Sequence, residues 1–247
     1  MSSDGTGKQS PFTRPGFIAA TVVVALIVVC AIILIIVNVS QGNPETAPTS
    51  TNQPTSGAAP SSPAASGDES VCGLGGVELS GTVTMAPAAT WEYEGTTGYP
   101  TSPTYGPGKA DPAGFRYCFQ HSPTGALFAA ANALAAPTNA ATSAAWADYF
   151  YAPGPYRDSL LAQVKGATNS AAGARLSIGG FRLLSYDGKS AQVDVAGTGS
   201  SNGVSVTFSA VYSLVWVDGD WKLSTETPTP FNFASIPNLA GYTTWGQ

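Results

Sequence analysis

The sequence predicts an α+β domain held outside a membrane by one N-terminal helix. Three observations predict it. Residues 17–39 form an apolar run without a single charge, three successive segments between 122 and 173 carry a helical period, and residues 175–225 alternate apolar and polar side chains with a period of two. Helices that precede an antiparallel sheet and must cover one of its faces give an α+β arrangement, three helices on a curved antiparallel sheet.

Residues 1–16 read as a short cytoplasmic tail and residues 17–39 (FIAATVVVALIVVCAIILIIVNV) as a transmembrane helix. At 1.5 Å per residue the run spans about 34 Å, enough for a hydrocarbon core of roughly 30 Å. Lys8 and Arg14 precede it and the next cation is Lys109, so the positive-inside bias places the bulk of the chain outside the cell membrane. A cleaved signal peptide is the competing reading. Its apolar region would be shorter and would end in a small-x-small site, which Val37-Asn38-Val39-Ser40 does not supply. Residues 40–70 are rich in Pro, Ser, Thr, Ala and Gly with no aromatic, a composition unable to offset its backbone entropy by burial, and are expected to be a disordered linker.

The outer domain is expected over residues 71–247: an irregular arm (71–120), helices (122–173), a sheet (175–225) and a C-terminal tail (226–247). Within the arm, Gly81 to Met85 and Trp91 to Tyr93 resemble strands. Ser122 is placed to cap the first helix, Pro123 stands at its first position, and Leu127, Ala130, Ala131 and Leu134 fall on one face before Pro137 ends it. A second helix around Thr142 to Tyr151 presents Trp146, Tyr149 and Phe150, and a third runs from near Pro155 to near Gly173. Asp187-Gly188 and Asp218-Gly219 are hairpin signals, and Gly197 to Gly203 reads as a turn between them. From Val204 to Trp216 every second residue is apolar, with Ser205, Thr207, Ser209 and Ser213 opposite, so the outer face of the sheet is expected to be polar but uncharged.

This order, closing on VYSLVWVDGDWKLS, resembles the cone-shaped fold of nuclear transport factor 2 and its relatives, which includes membrane-proximal domains of type IV secretion scaffold subunits. Trp91, Pro100-Thr101-Ser102, Tyr105-Gly106-Pro107, Phe115, Ser122-Pro123-Thr124-Gly125-Ala126 and the closing Gly241-Tyr242 and Trp245-Gly246 also resemble an uncharacterised family of actinobacterial membrane proteins that accompanies conjugative or integrative elements. The resemblance implies a fold and an envelope setting; the paired cysteines and the sparse charge are not part of the scaffold pattern.

Charged residues are 10% of the chain, Lys+Arg 10 against Asp+Glu 15, and the net charge is −5, which argues against nucleic-acid binding. One histidine and three cysteines leave few ligands for a metal or cluster, and no cofactor is expected. Cys72 and Cys118 lie on the oxidising side and are expected to form a disulfide, the competing reading being two unpaired buried thiols. His121 is the one imidazole available for general-base work, but its neighbour Ser122 is already explained as a helix cap. Asp218 and Asp220 fall short of a calcium site and suit turn chemistry better. A pocket between helices and sheet would be lined by Trp146, Asp148, Phe208, Tyr212 and Trp216, with Asp148 its acid, and Tyr99, Tyr105, Tyr242 and Trp245 are candidate interface aromatics. The expected function is a non-enzymatic scaffold of a conjugation or secretion-like envelope complex, partnered by the membrane, by other envelope proteins and by copies of itself. A small-ligand or peptide binding module is the alternative, with a hydrolase or isomerase behind it.

Overall fold

The structure, a computed structural model, describes residues 69–166, 175–201 and 203–247. The predicted cytoplasmic tail, membrane helix and linker lie outside the described residues, apart from Glu69 and Ser70. Among the described residues no helix is long and apolar enough to cross a membrane. The elements follow in the order β1 (Thr90–Glu94), β2 (Thr97–Thr101), β3 (Lys109–Ala110), β4 (Arg116–Tyr117), α1 (Pro123–Ala135), α2 (Ser143–Phe150), α3 (Arg157–Gly166), β5 (Arg175–Tyr186), β6 (Ser190–Ser201), β7 (Val204–Val217), β8 (Asp220–Leu223), β9 (Phe231–Ser235) and β10 (Thr243–Thr244). Three helices and a curled mixed sheet make the α+β class that the periodicities predict.

Helix α1 begins where its cap directs. Ser122 is extended, its Oγ accepts a hydrogen bond from Gly125 N–H at 2.9 Å, and Pro123 occupies the first turn without loss of a bond. Pro137 ends the helix in a single 3₁₀ turn, Ala136–Thr138. One buried face was expected, but almost every residue of α1 is buried. Its run of alanines lets the sheet approach on one side and the arm on another, where Asn132 Nδ2 donates to the Pro100 carbonyl at 2.9 Å. Helix α2 buries Trp146 and Phe150, stacked with centroids 4.8 Å apart, and α3 buries Leu160 and Leu161. The predicted end of the third helix near Gly173 lies outside the described residues.

The sheet runs β1-β2-β5-β6-β7-β8, with β10 added beside β5 and β9 beside β7. Its long spine is β6–β7, paired without interruption from Ser190↔Val215 to Ser201↔Val204. The turn expected from Gly197 to Gly203 is therefore mostly strand. Gly197 serves packing instead: a Cβ there would lie 2.0 Å from the Ser177 carbonyl oxygen, beside the bulge at Ile178/Gly180. The Asp218-Gly219 turn forms as predicted, with φ of 54° and 74°, the two positive values that a type I′ hairpin requires.

Three further expectations need correction. The sheet is mixed, because β2 joins β5 in parallel at Thr97↔Leu176. Gly81 to Met85 forms no strand, whereas β1–β2 extend the sheet and the tail contributes β9 and β10. The outer face is not free of charge: Arg182 pairs with the wholly buried Asp194 at 2.6 Å, Ser209 Oγ donates to the same carboxylate at 2.7 Å, and Tyr242 closes over them. The core between sheet and helices holds Phe128, Phe181, Val193, Phe208, Leu214 and Trp221.

Candidate functional site

Residues of the arm, α2, α3 and the β7–β8 hairpin meet at one end of the domain, and Asp220 organises that meeting. As the first residue after the two-residue turn it sits on β8 with its carboxylate pointing inward, fully buried. Cys118 N–H and the Tyr149 hydroxyl donate to Oδ2 at 2.7 and 2.8 Å, while Phe119 and Trp221 N–H donate to Oδ1 at 2.8 and 2.9 Å. Burial pushes the carboxyl up to about 6, against these four donors, which draw it down. Burial also raises the Tyr149 hydroxyl, helped by the facing carboxylate.

The arm is stapled to this point. The Cys72–Cys118 disulfide forms as predicted and agrees with an oxidising, extracytoplasmic setting. Next to it, Val71 N–H donates to the Gly219 carbonyl at 2.8 Å, so the stretch where the linker enters the domain rests on the hairpin tip.

Outside this staple lies an open groove of about 570 Å³. Phe115, Tyr149 and Tyr151 give it aromatic walls. Asp111 and two ion pairs, Asp148–Arg157 at 3.0 Å and Asp218–Lys222 at 3.3 Å, give it a charged rim. Lys222 also stands 4.7 Å above the Tyr149 ring, a cation–π contact that fixes the tyrosine from the solvent side. Beneath Tyr149 a cavity of about 10 Å³, lined by Asn132, Trp146 and Asp220 among others, has room for about one water.

The five predicted pocket residues do not share one site. Asp148 lies on the groove and Trp146 on the small cavity beneath it. Phe208 and Tyr212 are buried elsewhere, against Phe233 (5.0 Å) and Phe231 (4.7 Å). Trp216 stacks flat on His121 at 3.9 Å. Phe208 and Trp216 line neither the groove nor the small cavity. Among the interface candidates, Tyr99 (6% exposed) and Trp245 (4%) are core residues and not surface ones. Tyr105 is half-buried against Phe128, and Tyr242 half-buried over Arg182. His121 is buried with its Nε2 on the Gly188 carbonyl, a packing position.

Sequence reasoning missed Asp220, Tyr149 and Lys222 as site residues. Asp220 reads as turn chemistry, since its distant donors, Cys118, Phe119 and Tyr149, leave no local trace. Alternation gives no help, because it places Asp220 on the face of Lys222, opposite the core residue Trp221.

The arrangement can hold a ligand, and the Asp220 carboxylate is committed to the fold, each oxygen accepting two donors. Among the described residues, no three His, Cys, Asp or Glu side chains converge as a metal site would require. No curated protein and no solved structure matches the chain. One family matches, over residues 49–244, and its description is domain of unknown function (DUF8175). With most of its length within that match, the chain belongs to the DUF8175 family.

Proposed function

We propose that the chain is a membrane-anchored, extracytoplasmic docking module, a non-enzymatic component of an envelope complex of the conjugation or secretion kind. One observation carries the reading: an open groove whose aromatic walls and paired-charge rim rest on a disulfide-stapled base. Tyrosine walls with arginine and carboxylate at the rim are the chemistry of protein interfaces, where aromatic anchors provide contact area and rim charges fix orientation. The groove is too open to enclose a small apolar ligand, and the small cavity below has room only for about a water. Anchoring through residues 17–39 would confine the domain to the membrane surface and raise its effective concentration for neighbours there. The resemblance to secretion scaffolds favours the same setting.

The test is photo-cross-linking in living cells from Ala145, on the groove, with Ser205, an exposed strand residue outside the groove, as control. Adducts with envelope-assembly proteins are expected from Ala145 and not from Ser205. Equal labelling from both positions, or no protein adduct from Ala145, would overturn the reading.

A further inference from the structure

Among the described residues β9 is an uncapped sheet edge, with the chemistry to pair with itself. Its inner side bonds β7, and the two flanking hydrogen bonds fix the parity: Ser213 N–H donates to the Pro230 carbonyl and Ile236 N–H to the Thr207 carbonyl. Pro230, Asn232, Ala234 and Ile236 therefore direct their backbone groups toward β7, and Phe231, Phe233 and Ser235 direct theirs away from it. Among the described residues no backbone group outside β7 bonds to β9. Three outward N–H and C=O pairs thus stand in a row along roughly 14 Å of edge.

Natural edges are blunted by lysine, by inward charge or by proline. Here the next outward position after Ser235 is Pro237, which ends the row of donors without shielding those before it. No charged residue occurs from Thr227 to Gln247, so two copies of this edge meet without like-charge repulsion. The opposite edge differs, because β1 carries Glu92 and Glu94 and an antiparallel self-pair there would bring carboxylates together. An antiparallel pair places Phe233 on the two-fold axis and sets Phe231 opposite Ser235 of the other copy. Phe231 and Phe233, half-buried on Tyr212 and Phe208, would then continue their aromatic row across the junction.

We infer that β9 is a self-association edge, through which two copies of this chain join their sheets antiparallel about Phe233. Five residues a side make a weak contact in dilute solution. Confinement of both copies to one membrane raises their effective concentration and makes it effective. The contact is separate from the groove, so it stands or falls independently of the docking proposed there.

The test uses the full chain in liposomes, labelled with donor or acceptor dyes for energy transfer. Ser235→Pro removes one outward N–H and no bond to β7, so it should abolish transfer while the thermal melt stays unchanged. Register is read independently in a Cys30→Ala background with a short bifunctional thiol reagent. Copies carrying Phe231→Cys mixed with copies carrying Ser235→Cys should yield cross-linked dimer, and Ser235→Cys copies alone should not. Transfer that persists in a folded Ser235→Pro protein, or mixed copies that fail to cross-link, would overturn the inference. So would cross-linking from Ser235 in cells that captures only a different protein.

Discussion

Asp220 illustrates how much one side chain decides when its partners come from three places in the chain. Each carboxylate oxygen accepts two donors, so an amide at this position cannot be oriented well: either flip aims its NH₂ at two groups that also donate. Asp220→Asn should therefore cost about 2–3 kcal/mol at neutral pH, the penalty for unpaired buried donors, measured as a shift of the chemical denaturation midpoint with unchanged slope. The same residue gives stability a pH dependence of definite sign. Its folded value, about 6, lies above the ordinary 3.8, so below pH 4 it is protonated in both states and its contribution is complete. Between about pH 4 and 6 the unfolded chain releases the proton and the native state keeps it, and stability falls by up to about 3 kcal/mol as pH rises. Above that window the curve levels. Denaturation midpoints from pH 3.5 to 7.5 should show this decline in the native protein, and Asp220→Asn should flatten it.

At the scale of elements, the arm shows what local pattern can and cannot convey. Ser122 with Pro123, Asp187-Gly188 and Asp218-Gly219 are legible because the cause lies within four residues of the effect: a cap hydroxyl, or a positive φ that a tight turn demands. The alternation of β7 is legible because fourteen residues repeat it. Trp91 to Tyr93 of β1 was legible, but β2, β9 and β10 are five residues or fewer, too short for a period to emerge, and β5 and β7, on which they pair, are distant in sequence. Tyr99 and Trp245 fail for a related reason: an aromatic among uncharged neighbours looks the same whether a distant Arg116 or Trp91 covers it or water does. Cys72 and Cys118 were legible as a pair, and their effect belongs to this scale because the bond closes a loop of 46 residues around the arm. Cys72→Ser should lower stability by about 4 kcal/mol, the loop-closure entropy returned to the unfolded chain. It should also release the Val71–Gly219 contact, so amide exchange should quicken at Val71 and remain slow in β6.

Across the whole molecule, the tail is a structural member of the domain and its last residues tie distant parts together. Trp245 lies between Trp91 of β1, Phe128 of α1 and Phe181 of β5, with centroids 5.2 to 5.5 Å away, and its indole N–H donates to the Pro87 carbonyl. Three residues earlier, Tyr242 closes the opposite face of the same sheet by donating to Asp194 at 2.9 Å and stacking on Arg182. The tail thus crosses the β5 edge, pairs there as β10, and secures both faces. Removing residues after Leu239 would expose Phe128 and Phe181, leave Asp194 with fewer partners, and detach β1 from its cover. A buried tryptophan alone is worth about 3–5 kcal/mol, a large share of the total stability of a domain this size. The truncated chain should lose its cooperative thermal transition, and Trp245→Ala should lower the denaturation midpoint by most of that amount. If the truncated chain melted as sharply and as high as the intact one, the domain would close without its tail, and the sheet, not the aromatic cluster at its edge, would hold the arm in place.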